Sequence, residues 1–474
     1  MDADEFRRLG HALVDWVAEY RQRIEGRPVM SAVDPGEIRA RFPAEPPARG
    51  GGLATALASL EESILPGITH WNHPSFFAYF PSNTSYASIL ADIVASGLGV
   101  QGMSWQTSPA ATEVEEVMMD WLRQMVGLST AWIGVIHDTA STATLCALLC
   151  ARERASAFSQ EKGGLQSAGA PLVVYASSEA HTSVEKAALL AGFGRDHLRL
   201  IETDGDHALV ISALRAAIAA DLAAGRRPCA VVAAVGTTGT TAVDPVAAIA
   251  ALAEEHGMWL HVDAAMAGTA MLLPECRWMW EGVEGCDSVV FNPHKWMGVG
   301  FDFSAYYVRD PDLLVRVMST NPSFLRTAQD GVVKNFRDWH IQLGRRFRSL
   351  KLWFLLLDVG VEGLRTRLRR DLANAAWLAE QVDAAPDWER AAPVYIQTVC
   401  LFHAPAALRG DEAALRAHNL AIARRINESG RAYVTPSMLK GKQIIRVSIG
   451  AETTERRHVE ALWQQLQAAA TATS

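Results

Sequence analysis

A lysine and an aspartate carry the most chemistry in this sequence. Lys295 follows an apolar run and a proline in Phe291-Asn292-Pro293-His294-Lys295-Trp296, and Asp263 ends a second apolar run, Trp259-Leu260-His261-Val262-Asp263-Ala264-Ala265. An amine projecting from a strand end becomes a useful nucleophile when burial or nearby cations lower its pKa. A carboxylate among apolar residues is costly to bury unless a cation meets it. One type of cofactor needs both groups. An aldehyde carried on a pyridine ring forms a Schiff base with the lysine, and the ring acts as an electron sink while the carboxylate keeps its nitrogen protonated. The pair points to pyridoxal 5'-phosphate, with the small Ala264 and Ala265 leaving room for a flat ring.

A phosphate also needs a cradle. Asp138-Thr139-Ala140-Ser141 opens a helical run and offers hydroxyls and free backbone N–H groups, although an ordinary N-cap reads the same way. Gly236-Thr237-Thr238-Gly239-Thr240-Thr241 is a second polar loop after a strand, and His181, also just after a strand, could stack on a planar cofactor. Open α/β sheets bind ligands at the carboxyl ends of their strands. A metal set of His256, His261 and Asp263 is the rival grouping, since residues 261 and 263 share a strand face. His256 ends a helix and no fourth ligand is evident, so no metal is expected. Gly192-Phe193-Gly194 and Gly298-Val299-Gly300 lack the third glycine of a dinucleotide site, and no phosphate-binding P-loop is present.

The elements that must position these residues follow from periodicity. Residues 1–85 read as a helical, dimer-forming arm broken by the proline- and glycine-rich stretch 42–52. With little core of its own, the arm must pack on another domain or a second subunit. From 86 to 348, apolar runs at 172–175, 229–235, 259–262, 288–291 and 305–308 alternate with helical patterns such as 245–255. This predicts a large α/β domain whose mostly parallel sheet is covered on both faces. Within 349–474, a long helix around 350–357, strands at 395–402 and 444–449 and helices at 412–429 and 454–469 predict a small C-terminal α+β domain. The basic cluster Arg345-Arg346-Phe347-Arg348 with Lys351 reads as a solvated or subunit-facing helix start.

Composition narrows the partners. The 474 residues are 49% hydrophobic and 20% charged with a net charge of −8, and no long basic stripe supports binding to nucleic acid or an anionic membrane. No apolar run approaches the ~18 residues of a membrane span, and residues 1–8 lack the apolar core of a secretion signal, so a cytoplasmic protein is expected. Cys146 and Cys150 stand one helical turn apart in an apolar pattern and read as reduced core residues.

Beyond these residues, the chain resembles a known family along almost its whole length: the group II pyridoxal phosphate decarboxylases, of the aromatic-L-amino-acid decarboxylase type. The likeness is carried by Glu5-Phe6-Arg7-Arg8, Thr69-His70-Trp71, Ala78-Tyr79-Phe80-Pro81, Ser104-Trp105, Ser108-Pro109-Ala110 and Met118-Met119-Asp120-Trp121-Leu122. It continues through the Asp263 and Lys295 motifs to Leu343-Gly344-Arg345-Arg346-Phe347-Arg348-Ser349-Leu350-Lys351. The resemblance implies the type I, aspartate aminotransferase-like fold and a homodimer with active sites at the interface. It implies that Lys295 holds the cofactor, Asp263 pairs with the ring nitrogen, His181 stacks on one ring face and Ala265 packs on the other. Thr139, Ala140, Ser141 and Asn292 would bind phosphate, with His294 beside it and Thr238 near the ring. Tyr79, Phe80, Pro81 and, from the second subunit, the partner's Gln101 and the partner's Met103 would line the substrate pocket. Gly344 matches a pocket position that is glycine in indole-selective and serine in phenol-selective plant relatives.

The implied reaction is decarboxylation of an aromatic L-amino acid: DOPA, tyrosine, tryptophan, 5-hydroxytryptophan or phenylalanine. The chain departs from the family at one point. A mobile loop in the decarboxylases carries a tyrosine that delivers a proton to Cα, and the matching segment here reads Asn321-Pro322-Ser323-Phe324-Leu325. Losing a positioned general acid costs ~10²–10⁴-fold. Plant relatives with this exchange are aromatic aldehyde synthases, so substantial oxidative output is expected beside the amine. If water or His181 protonates Cα instead, the amine leaves. An aminotransferase on the same fold is the alternative activity.

Overall fold

The computed structural model describes residues 1–167, 169–320, 329 and 331–473. Contacts group the chain into two compact units, one of Ser82–Ala373 with Ala392–Thr398, the other of Met1–Pro81, Asn374–Ala391 and Val399–Ser474. In the larger unit the apolar runs become seven strands: β1 (Ile133–His137), β2 (Leu172–Ser177), β3 (Leu198–Ile201), β4 (Arg227–Ala234), β5 (Trp259–Asp263), β6 (Ser288–Phe291) and β7 (Ser304–Val308). Their order is β1-β7-β6-β5-β4-β2-β3. β3, β2, β4, β5 and β6 pair in parallel, whereas β7 is antiparallel to both β6 and β1. β1 therefore shares the direction of the parallel set.

β2, β5, β6 and β7 are buried at every position, as expected of a sheet covered on both faces. Helix Ala140–Ala155 packs across β1 and β4 to β7, and helices Ile211–Ala223 and Val246–His256 pack on β4. The five strands expected from the sequence are present near their expected bounds. β1 and β3 were not expected: only Ile201 of β3 is buried, and β1 is interrupted by Gly134. That glycine is a packing requirement, since a Cβ there would lie 2.5 Å from Met119 Cε and 2.6 Å from Tyr307 Cε1.

β1 is an edge strand, and an open edge exposes N–H and C=O groups that can template another strand. Here the edge is sealed by side chains. Glu115 Oε1 accepts from the Ile136 N–H at 2.9 Å, and Arg345 Nη2 donates to the Ile136 carbonyl at 2.7 Å. The two side chains also pair with each other at 2.7 Å and are almost fully buried. The basic cluster, expected to be solvated or subunit-facing, is held largely by acceptors within the chain. Lys351, 1% exposed, donates to the carbonyls of Gly300 and Asp302, and Arg348 pairs with Asp302 at 2.9 Å, leaving Arg346 as the exposed cation. A charge run reveals its own sign but not the acceptors that distant segments bring to it.

In the smaller unit a second sheet, ordered β10-β11-β9-β8, is built from β8 (Trp388–Arg390), β9 (Thr398–His403), β10 (Thr435–Leu439) and β11 (Lys442–Ser448). Helices Glu412–Glu428 and Arg456–Thr473 accompany it. Main-chain bonds tie residues of the arm to this unit: Phe77 N–H to the Tyr433 carbonyl, Tyr433 N–H to the Ser75 carbonyl, Ser448 N–H to the Phe77 carbonyl and Val29 N–H to the Gly430 carbonyl. These pairings give residues 1–81 the core that their own sequence lacks.

Two predictions follow from this packing. Removing one partner of a buried ion pair strands the other, at a cost of ~3–5 kcal/mol. Glu115→Ala is expected to lower the urea-unfolding free energy by about that amount, with the double change Glu115→Leu and Arg345→Met recovering most of it. An unchanged single variant would show that the seal contributes nothing. The second concerns pH. Burial pushes the imidazoles of His137 and His261 down to about 4 and that of His340 to about 2, while it pushes the carboxyls of Asp244 and Asp371 up to about 6. Below pH ~6.5 the unfolded chain protonates these histidines and the folded chain does not, so each withdraws up to ~1.4 kcal/mol of stability per pH unit. The aspartates oppose this only from about pH 6 downward, where their protonation relieves a buried charge. The three histidines start earlier and outnumber them, so the thermal midpoint should fall from pH 7 to pH 5; a flat or rising midpoint contradicts the assignment.

Candidate active site

Because β1, β2, β4, β5 and β6 run in one direction, the loops that follow them leave from one edge of the sheet, where open α/β sheets bind ligands. Each loop carries a sequence-predicted residue. After β1, Thr139 caps helix Ala140–Ala155 by accepting from the Thr142 N–H, while Asp138 Oδ1 accepts from the Thr139 N–H at 2.7 Å. Ala140 and Ser141 stand in that helix's first turn, whose N–H groups lack helical partners. After β2, His181 caps helix Thr182–Leu190. After β4, Thr238 is exposed in the turn 236–241. Asp263 is the last residue of β5, and Lys295 lies in the five-residue turn Pro293–Met297 just beyond β6.

Cross-links hold these loops in register. Asn292 donates its N–H to the Ala265 carbonyl at 3.0 Å, and Val235 donates to the Asp263 carbonyl at 2.9 Å. Ser304 Oγ donates to Asn292 Oδ1 at 2.6 Å and lies 3.3 Å from the Asp138 carbonyl. Gly236, with φ +84°, comes so near the β5 loop that a Cβ would lie 2.6 Å from Ala267 Cβ, so glycine is required on both steric and conformational grounds.

The electrostatics single out Asp263. It is 8% exposed, and Oδ1 accepts from the Ala265 N–H at 3.0 Å, whereas Oδ2 takes no hydrogen bond among the described residues. That oxygen is open to a donor from outside the chain. Burial lowers the pKa of His181; Asp263 opposes that shift and Lys295 adds to it, which puts the three groups within electrostatic reach of one another. His181 Nδ1 accepts from the Ser183 N–H, so the ring proton sits on Nε2. His294 is pushed down to about 3, first by burial and then by Lys295, and its Nδ1 accepts from the Phe303 N–H at 3.0 Å. It too is a neutral ring with Nε2–H available. His261 pairs with Ser288 Oγ and Thr144 Oγ1, and among the described residues no group of three His, Cys, Asp or Glu could hold a metal.

These residues fit pyridoxal 5'-phosphate. The open oxygen of Asp263 suits a protonated ring nitrogen, Lys295 is an amine on the same edge, and the free N–H groups at Ala140 and Ser141 suit a phosphate. The other predicted residues have contacts of their own. Gln101, Met103 and Gly344 form a patch of their own: Gln101 Oε1 accepts from the Arg345 N–H, the Met103 carbonyl accepts from the Arg337 N–H, and a Cβ on Gly344 would lie 3.3 Å from Gln101 Nε2. Tyr79, Phe80 and Pro81 belong to the smaller unit. There Tyr79, at φ +50°, stacks on Trp71 with its hydroxyl 3.3 Å from that of Tyr433, and the Arg446 guanidinium covers Phe80. Phe324 lies outside the described residues. Sequence reasoning missed Ser304 and also Asn83, Arg367 and Asp371, which bond to the Lys295 turn; nothing in their local sequence sets them apart.

Comparison with known proteins agrees with this geometry. The pyridoxal-dependent decarboxylase conserved domain matches residues 35–404. The chain is 39% identical to phenylacetaldehyde synthase from Arabidopsis thaliana and 40% identical to aromatic-L-amino-acid decarboxylase from Bos taurus, each alignment covering 98% of this chain and 96% of the relative. The crystal structure of Oryza sativa TDC with PLP and tryptamine superposes with a TM-score of 0.96 at 36% identity, covering 100% of this chain and 99% of that one. Rhodiola rosea 4-hydroxyphenylacetaldehyde synthase gives 0.92 at 32% identity over 100% and 99% of the two chains. The fold is accordingly the type I fold expected from the sequence. With a carboxylate and an amine on one sheet edge, these matches establish that the chain belongs to the pyridoxal-dependent decarboxylase family.

Proposed function

We propose that this protein is a pyridoxal 5'-phosphate-dependent decarboxylase of aromatic L-amino acids that diverts much of its turnover to the aromatic aldehyde. The observation that carries the cofactor half of this reading is the open Oδ2 of buried Asp263 on the same sheet edge as Lys295. The chemistry that pyridoxal 5'-phosphate supplies when bound is an electron sink for the pair released as carbon dioxide departs. Lys295 is the attachment point, Asp263 keeps the sink charged, and Thr139, Ala140, Ser141 and Asn292 hold the phosphate beside the Nε2–H of His294. His181 and Ala265 would hold the ring between them, and Thr238 would lie near it. His181 Nε2–H is the proton that this chain retains near the reacting carbon, since Phe324 has none to give.

The product assignment rests on Phe324. Loss of a positioned acid lengthens the life of the electron-rich state by up to ~10²–10⁴-fold, which gives dioxygen time to compete with protonation. The oxidative outcome consumes one dioxygen and one water and yields aldehyde, carbon dioxide, ammonia and peroxide. Two similar proteins are aldehyde synthases by name and several are decarboxylases, so both products occur among close relatives. Incubated in air with DOPA, tyrosine, tryptophan, 5-hydroxytryptophan and phenylalanine, the holoenzyme should release carbon dioxide together with aldehyde and peroxide, and Phe324→Tyr should restore amine. Carbon dioxide equal to amine with no oxygen uptake sinks the oxidative half; no carbon dioxide from any of the five sinks the decarboxylase reading. Consumption of a 2-oxo acid would instead favour an aminotransferase.

A homodimer completes the reading. Helix Tyr86–Leu98 exposes Tyr86, Leu90, Ile93, Val94 and Leu98 along one stripe, and Trp121, Trp353 and Leu357 are exposed in the same unit. Apolar surface of this extent marks an interaction site. We place the partner's Gln101 and the partner's Met103 at the substrate pocket, together with Gly344 of the same patch. The six buried cysteines, all free thiols, and the absence among the described residues of a helix long and apolar enough to cross a membrane suit the cytoplasm. Mixing two inactive proteins, Lys295→Ala and Met103→Arg, tests the shared site. A mixed dimer should regain one intact site if residue 103 acts in trans, and no recovery would place it in cis or outside the site.

A further inference from the structure

Lys295 is attached to the rest of the protein by more than its own strand. Its turn, Pro293–Met297, is wound more widely than an α-helix: the Gly298 N–H reaches back to the Pro293 carbonyl, and Gly298 closes the turn at φ +96°. Such single wide turns are rare and are frequent at functional sites. The turn's carbonyls need donors from elsewhere, and distant segments supply several of them. The Lys295 carbonyl accepts from the Asn83 N–H at 3.3 Å and from Asn83 Nδ2 at 3.2 Å, and the Gly298 carbonyl accepts from the Ser85 N–H at 3.0 Å. The Trp296 carbonyl accepts from Arg367 Nη2.

Trp296 is held at its other end as well. The indole is fully buried, and Nε1–H donates at 2.9 Å to Oδ2 of Asp371, itself fully buried. The second oxygen of that carboxylate, Oδ1, faces Arg370 at 3.1 Å. Arg367 and Asp371 are one helical turn apart in helix Ser349–Ala384, beyond its break at Gly360, so they lie on one face of that helix. The same approach constrains the turn's closing residue, since a Cβ on Gly298 would lie 2.8 Å from Arg367 Nη1. On the other side of the lysine, His294 is fixed by Phe303, which donates to its Nδ1 and accepts from its N–H. Both neighbours of Lys295 are therefore locked, one by the start of β7 and one by a helix face distant in sequence.

We propose that Arg367 and Asp371 are positioning residues for Lys295: they grip Trp296 at its carbonyl and its indole N–H and thereby set where the neighbouring amine points. The assignment rests on the reading of Lys295 as the cofactor's attachment point. A rigid buried indole is a suitable lever because it cannot turn without breaking a bond at one end or the other. Misplacing a reacting group by about 1 Å can cost up to ~10²-fold in rate. Loss of the Asp371 contact is therefore expected to slow attachment without weakening the cradle that holds the phosphate.

The test compares wild type, Asp371→Leu, Asp371→Asn and Arg367→Met. Each is stripped of cofactor and reloaded with pyridoxal 5'-phosphate. The readouts are the rate of covalent attachment by absorbance, the rate of borohydride trapping on Lys295, the thermal midpoint, and kcat and KM separately. Asp371→Leu should slow attachment ~10-fold and lower kcat with KM nearly unchanged, whereas Asp371→Asn, whose Oδ1 can still accept the indole N–H, should restore both. Attachment at the wild-type rate in Asp371→Leu, or an asparagine variant as slow as the leucine one, overturns the proposal. Should Asp371→Leu fail to fold, Arg367→Met decides, since it removes the carbonyl donor and leaves the buried carboxylate in place: slowed attachment supports the proposal and wild-type attachment overturns it. A wild-type protein that attaches no cofactor would fail the cofactor reading itself. In that event acylation of Lys295 in the apoprotein, followed by mass spectrometry, still decides: altered reactivity in Asp371→Leu supports the positioning role and equal reactivity removes it.

Discussion

Strand direction is the constraint on which the site depends. Six strands run one way, so the chain leaves the sheet after β1, β2, β4, β5 and β6 on a single edge, and Thr139, His181, Thr238, Asp263 and Lys295 arrive there although they are spread over more than 150 positions. The exception, β7, contributes by being reversed. Its amino end meets the carboxyl ends of β1 and β6, which brings Phe303 to His294 and Ser304 to Asn292 and the Asp138 carbonyl. One antiparallel strand thus fastens the cradle to the lysine turn.

Burial then assigns the protonation states. His181 and His294 each accept a backbone hydrogen at Nδ1, and burial disfavours their charged forms, so both offer a neutral N–H donor rather than a competing cation. Cations near the ring would weaken the pairing between Asp263 and a protonated nitrogen. The histidines supply hydrogen bonds without that penalty.

The legible part of this molecule was the part encoded locally. Apolar runs near 172, 229, 259, 288 and 305 marked five strands, and a lysine and an aspartate at the ends of two of them marked the chemistry. β1 escaped notice because Gly134 breaks a run whose packing against Met119 and Tyr307 cannot be read from its own residues. The cluster around Arg345 reads as solvated or subunit-facing from its own residues; its acceptors, Glu115 and the carbonyls of Ile136, Gly300 and Asp302, lie far away in sequence. Asp371 and Arg367 were invisible for the same reason. Long-range hydrogen bonds to main-chain carbonyls leave no periodic signature, and they are what orients the site.

The ion pair over the β1 edge has a bearing on how copies of the chain could meet. The chain carries an exposed apolar stripe on helix Tyr86–Leu98. Were the strand edge also open, two such chains could join by continuing their sheets, a mode of association that has no natural end point. Glu115 and Arg345 occupy the Ile136 main-chain groups and so oppose that continuation.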